Sequence, residues 1–148
     1  MKCFFYAFRG IWETIKNERN MRIHLCFAVY VLLAGLVTKI SHGEWIAVLL
    51  CVGTVTGLEC LNTAIERLCD TLCPKRSEGI RIAKDAAAGA VLCAAIASAA
   101  VGCTVFIKAE KIRLAFEFLL GQPWLSGIIL LSLIPAVLFI KGAFLKKN

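Results

Sequence analysis

Four stretches of this chain carry no Asp, Glu, Lys or Arg. They are 16 residues from Ile23 to Thr38, 14 from Trp45 to Leu58, 22 from Ala86 to Ile107 and 23 from Phe118 to Ile140. A backbone in lipid must satisfy its own polar groups, and about 20 consecutive apolar residues in a helix cross a bilayer. Runs of this kind therefore dictate an all-α integral membrane protein. The 148 residues are 59% hydrophobic and 18% charged, more apolar side chain than a soluble domain of one-domain length can bury. The first run rises about 24 Å, short of the ~30 Å hydrocarbon core, and Arg22 and Lys39 extend it by snorkelling. The spacing predicts spans over about 23–38, 45–69, 85–107 and 118–140. Ser41-His42-Gly43 reads as the turn after the first span, and Trp45 as an interface anchor. Pro123 fits the first turn of the fourth span and Pro135 kinks it. Ahead of the spans, Phe4, Phe5, Phe8, Ile11, Trp12 and Ile15 recur at helical spacing among Lys2, Arg9, Glu13, Lys16 and Glu18. That pattern predicts an amphipathic helix over 2–20 lying on the membrane surface.

The net charge of +7 has two readings, nucleic acid or anionic headgroups. The basic residues flank the apolar runs and no nucleic-acid motif is present, so the charge sets membrane orientation. The amino end, the loop 71–84 (Lys75, Arg76, Arg81, Lys84) and the carboxyl end (Lys141, Lys146, Lys147) are basic. The 39–44 loop is nearly neutral, and the 108–113 connection, mildly basic, dissents. An even number of spans with both ends cytoplasmic fits best, in a multi-pass protein of the cell membrane. The eight cysteines, 3, 26, 51, 60, 69, 73, 93 and 103, contain no C-x-x-C pair. Most lie in apolar runs, where a thiol acts as a small hydrophobe, so neither zinc nor disulfides are expected. The first 22 residues are charged and have no signal-peptide core.

The second span does not end where its charge-free part ends. It continues as Glu59-Cys60-Leu61-Asn62-Thr63-Ala64-Ile65-Glu66-Arg67-Leu68-Cys69-Asp70, in which Glu59, Asn62, Glu66 and Asp70 fall within an arc of about 80° on one helix face. Ionisable groups at membrane depth are costly, and their default reading is functional. The structural alternative pairs Glu59 and Glu66 with Arg67 or Lys84 on neighbouring helices. No P-loop, kinase-type glycine loop, G-x-S-x-G or H-E-x-x-H occurs. Phosphoryl transfer would need carboxylates for Mg²⁺, a cation on the phosphates and a base near the attacking hydroxyl. Glu18, Glu59, Glu66, Asp70 and Asp85, with Lys84, are the candidates, and several assignments remain open at this point. Lys84 and Asp85 also suit the start of the third span, where Asp favours the helix dipole.

Glu59-x-x-Asn62-Thr63-Ala64-Ile65-Glu66-x-x-x-Asp70 resembles the signature of the prokaryotic diacylglycerol kinase family, the small bacterial integral-membrane lipid kinases. Tyr6-Ala7-x-x-Gly10, Glu18-Arg19-Asn20-x-Arg22-Ile23-His24 and Ala83-Lys84-Asp85-Ala86-Ala87-Ala88-Gly89-Ala90-Val91-Leu92 add three more matches in order, covering residues 4 to 105. The resemblance implies a homotrimer of protomers with a surface helix and three spans, active sites shared between neighbours, and transfer of the ATP γ-phosphate to a lipid hydroxyl. By matching position, Glu59 is the general base at the lipid substrate, and Glu18 and Glu66 are the carboxylates that hold Mg²⁺ and approach the nucleotide. Tyr6, Lys84 and Asp85 match nucleotide-contacting positions, and Asn62 and Asp70 are supporting signature positions. The Asn-x-Arg-Ile-His and Asn-Thr-Ala-Ile-Glu variants resemble the Gram-positive branch, whose acceptor is undecaprenol; diacylglycerol is the alternative. The kinase unit would occupy 1–113, and 114–148 would be an added helix and basic tail whose deletion leaves transfer largely intact.

The departures from the family pattern lie in three places. An arginine near the amino end of some relatives has no counterpart. His24 stands where the Gram-negative diacylglycerol kinase has a glutamate, and reads as a polar residue at the entry of the first span. Lys75-Arg76-Ser77 replaces the acid-aromatic-His that relatives often show after the loop proline. Two rival functions exist: a four-span transporter, which places its key acid near the bilayer midplane, and a non-catalytic membrane partner keeping the fold.

Overall fold

The computed structural model describes residues 2–72 and 77–143, and every regular element in them is a helix. In chain order these are α1 (Lys2–Asn17), α2 (Arg19–Val37), α3 (His42–Leu72), α4 (Glu78–Phe106), α5 (Ala109–Gly121), α6 (Pro123–Leu131) and α7 (Leu133–Ile140). Helices α2, α3, α4 and the α6–α7 pair are each long and apolar enough to cross a membrane. The loop residues Pro74, Lys75 and Arg76, together with Cys73, Lys146 and Lys147, lie outside the described residues.

α3 and α4 form the longest antiparallel pair, α2 packs against α3, and α7 packs against α2. The core is small: Ile40, Val48 and Val105 are buried, with Val31, Leu32, Trp45, Val101 and Phe106 around them. Phe27, Leu36, Leu50, Leu92, Ile96 and Leu130 face outward. Such a surface requires lipid as its solvent. The α2–α3 corner is tight. Gly35 is buried, and a Cβ there would lie 2.9 Å from the Trp45 ring and 3.0 Å from Ile40 Cδ1. Gly35→Val should therefore destabilise this corner by about 1–3 kcal/mol through overpacking, read as a lower unfolding midpoint in detergent.

Four element boundaries differ from the sequence expectation, each for a local reason. α4 begins at Glu78, where Ser77 Oγ accepts from the Ile80 N–H, so Lys84 and Asp85 lie within the helix and not at its start. The α2–α3 turn falls at Thr38–Ser41, and α3 already begins at His42. Ser41 and Glu44 form a capping box: the Glu44 N–H donates to Ser41 Oγ (3.4 Å) and the Ser41 N–H to Glu44 Oε2 (2.8 Å). The predicted single span over 118–140 is divided, because α5 runs on to Gly121 and Pro123 opens α6. A further break comes at Ser132, three residues before Pro135, whose missing N–H cannot continue the ladder. The amino-terminal helix stops at Asn17 rather than at residue 20. Glu18 has extended backbone (φ −100°, ψ 121°) and forms the corner from which α2 starts.

Candidate active site

α3 is one continuous helix of 31 residues, about 46 Å long at 1.5 Å per residue. Its second half carries the acidic face at the end of the molecule where α1 lies. Glu59 is only 2% exposed. Its Oε1 lies 3.3 Å from His24 Nε2, on the facing turn of α2. One turn on, Asn62 Nδ2 donates to Glu66 Oε1 (3.1 Å), and Asn62 Oδ1 is buried without a partner among the described residues. Glu18 stands at the corner between α1 and α2. His24 and Glu59 thus pair across α2 and α3, Asn62 and Glu66 pair along α3, and Glu18 borders them from the corner.

Asp70 and Lys84 form a second group nearer the helix end. Lys84 Nζ reaches Asp70 Oδ1 at 2.8 Å across the α3–α4 pair, and Glu66 also bears on Lys84 through its charge. Asp85 does not join them; its Oδ2 is held by Arg81 Nη1 at 2.9 Å on the solvent side of α4. The four-residue spacing on one helix makes that pair. Tyr6 is 62% exposed. With Ala7, Arg9, Gly10 and Glu13 it lines the α1 side of a groove between α1 and α3, and Cys60, Thr63 and Arg67 form the α3 side. Arg9 and Arg67 are cations at this groove that sequence reasoning did not single out. Neither was His24 chosen, because a single His in an apolar helix carries no pattern of its own.

An apolar groove of about 430 Å³ runs between α2, α3 and α4. Phe27, Ala28 and Val31 wall it on one side and Val48, Val52 and Val55 on another, with Ala95, Ala99 and Gly102 closing it; His24 lines it too. Through His24 the groove adjoins Glu59.

The donors fit a hard divalent ion that arrives with phosphate. Glu18 and Glu66 offer oxygen ligands, and Asn62 Oδ1 is a further oxygen without a partner. Among the described residues no three His, Cys, Asp or Glu side chains cluster closely enough to hold a metal unaided. Mg²⁺ takes few carboxylates and completes its shell with phosphate oxygens and water, so this sparse set is the kind that suits it.

Comparison with known proteins gives a family and two relatives. The chain matches the prokaryotic diacylglycerol kinase family over residues 5–106. It is similar to the undecaprenol kinase of Bacillus subtilis (strain 168), with 42% identity over 106 residues, 72% of this chain and 86% of that protein. It is also similar to a diacylglycerol kinase of Synechocystis sp., with 44% identity over 103 residues, 67% of this chain but 57% of that protein. No solved structure matches. The family match ends at residue 106, so α5, α6 and α7 lie beyond it.

Proposed function

The chain belongs to the prokaryotic diacylglycerol kinase family of lipid kinases, and from that premise we propose that it transfers the γ-phosphate of ATP to the hydroxyl of undecaprenol. The observation that carries this reading is the burial of Glu59 beside His24, where the apolar groove meets the acidic face. Glu59 takes the proton of the lipid hydroxyl as its oxygen attacks the γ-phosphorus. The bond from that phosphorus to the β–γ bridging oxygen breaks, and ADP leaves with the electron pair. His24 orients the Glu59 carboxyl, and Lys84 draws on the phosphates from the α4 side. Tyr6 and the groove between α1 and α3 hold the nucleoside part, and Asp85 would reach the nucleotide only by leaving Arg81. Asn62 orients Glu66, and Asp70 holds Lys84 in place. Glu18 and Glu66 are the residues for Mg²⁺, which would neutralise charge developing on the transferred phosphoryl group.

The groove supports undecaprenol as the acceptor. Its walls are aliphatic or aromatic apart from His24, Thr56, Ser98 and Cys51, which suits a polyisoprenoid whose one polar group is its hydroxyl. Diacylglycerol would bring two ester groups into the same walls, with few donors to meet them. The relative matched over most of its own length is named an undecaprenol kinase, which favours the same acceptor. In bilayers with Mg·ATP and equal mole fractions of the two alcohols, kcat/KM for undecaprenol should exceed that for diacylglycerol by about tenfold or more. The reverse ranking would make diacylglycerol the acceptor. No transfer to either by folded protein would remove the kinase reading.

We infer a homotrimer with sites completed between neighbours. Gly53, Gly57 and Gly89 support an assembly, since a Cβ at any of them would meet nothing within 4 Å in the protomer. These small-residue faces on α3 and α4 are open to a helix from another copy. The acidic face lies at the end carrying the basic residues of α1, which supports a cytoplasmic site with access to ATP. Glu66 and Asp70 lie in the last turns of α3, nearer the helix end than a transporter's mid-span ion site, with Glu59 two turns closer to the helix centre.

A further inference from the structure

Helices α6 and α7 run antiparallel to α2 and are joined to it by three polar rungs. On α2 the rungs are Arg22, Cys26 and Tyr30, four residues apart. On the partner they are the Ile140 carbonyl, the Ala136 carbonyl and the Ser132 hydroxyl, also four apart. Arg22 Nε donates to Ile140 O at 3.2 Å, Cys26 Sγ approaches Ala136 O at 3.9 Å, and the Tyr30 and Ser132 hydroxyls are 2.9 Å apart. Ser132 Oγ donates onward to Ile129 O, so Tyr30 is the donor in its rung.

Arg22 is the rung that matters for the site. It is 7% exposed, and its Nη1 donates to the carbonyls of Ile15 and Lys16 at 3.0 Å each. Those are last-turn carbonyls of α1, which have no partner within their own helix. One guanidinium therefore joins the end of α1, the start of α2 and the end of α7, and Glu18 lies on the corner it closes. The far end of the clamp is set by Gly142, buried at φ +73°, whose N–H donates to Phe139 O. The next N–H, of Ala143, bonds Leu138 O, and this left-handed cap holds the end of α7 against the guanidinium. A Cβ on Gly142 would lie 3.5 Å from Arg22 Nη2.

We propose that Arg22 is a positioning residue for Glu18, and that the α6–α7 pair beyond the family-matched region fixes Arg22 through the Ile140 carbonyl. This rests on the assignment of Glu18 to the metal-nucleotide site. The pair is then part of the kinase machinery, whereas the sequence alone marks 114–148 as an accessory.

The test compares the full chain with Gly142→Val, Arg22→Lys and a chain ending at Gly121, all in the same bilayers. Gly142→Val strains the cap and crowds the Arg22 guanidinium from the α7 side, and Arg22→Lys keeps the charge but loses the fork. Each variant should raise the KM for Mg·ATP about tenfold, with kcat and the KM for the lipid alcohol changed by less than about twofold. Amide hydrogen exchange at residues 18–22 should accelerate in the same variants. A merely structural clamp would lower the active fraction, and hence kcat, with the KM for Mg·ATP unmoved; that result overturns the inference. Unaltered exchange at 18–22 in Gly142→Val and in the truncation overturns it as well. Full-length protein inactive on every lipid alcohol would count against the kinase reading, and the exchange comparison then judges the clamp alone.

Discussion

Glu59→Gln is expected to lower the rate of lipid phosphorylation by about 10²–10⁴-fold, the usual contribution of a general base. The substitution keeps the volume and can still face His24, but an amide cannot accept the hydroxyl proton. Glu59 lies on the lipid side of the acidic face, so nucleotide binding should change little. The measurement is single-turnover transfer to undecaprenol beside equilibrium binding of a fluorescent ATP analogue. Loss of both together would mean that Glu59 holds the site's shape instead of carrying the proton. A rate within about tenfold of the parent, below the range expected of a base, would move that role to another group.

Glu66→Gln should cost roughly 3 kcal/mol of transition-state stabilisation, about a hundredfold in rate, since in the proposed reaction Glu66 is one of the two carboxylates for the metal ion. Its signature differs from that of Glu59→Gln. The dependence on Mg²⁺ should shift to higher concentration, and Mn²⁺, which binds nitrogen and oxygen ligands more tightly, should recover part of the rate. The Gln oxygen can still accept from Asn62 Nδ2, now at 3.1 Å from Glu66 Oε1, so the amide contact survives and only its charge assistance is lost. An unchanged Mg²⁺ dependence with the rate reduced would assign Glu66 to holding Asn62 and Lys84 rather than to the metal.

The crossing helices were legible in the residues because lipid leaves so few options: a charge-free run of sufficient length has one stable form. The acidic face of α3 was legible for a related reason, as helical periodicity alone aligns Glu59, Asn62, Glu66 and Asp70. What lay beyond reach depended on three-dimensional corners. Glu18 is 41 positions from Glu59 in the chain, and only the break at Asn17 and the turn into α2 bring it near. The Arg81–Asp85 pair needed the helix to be in place, since adjacent residues such as Lys84 and Asp85 point about 100° apart and Arg81 lies one turn back from Asp85. The Ser41–Glu44 capping box was present in the letters, yet Gly43 made the segment look like a turn. The rungs to α6 and α7 left no signature at all, because two of the three acceptors are backbone carbonyls.

The uninterrupted course of α3 has a mechanical consequence. From Glu59 to Glu66 the helix rises about 10 Å, and no glycine, proline or bulge intervenes. In the proposed reaction one reactant comes from the oily phase and the other from water, and Glu59 and Glu66 bracket the interval in which they meet. Its length is held by a ladder of peptide hydrogen bonds, so it neither stretches nor folds during turnover. The helix acts as a gauge between two solvents. A long-chain alcohol has to rise along its groove to the fixed height of the base, while the nucleotide has only to dock. Whatever alters the depth at which this rod rides in the bilayer moves the acceptor's hydroxyl past its mark, with every side chain of the site left in place.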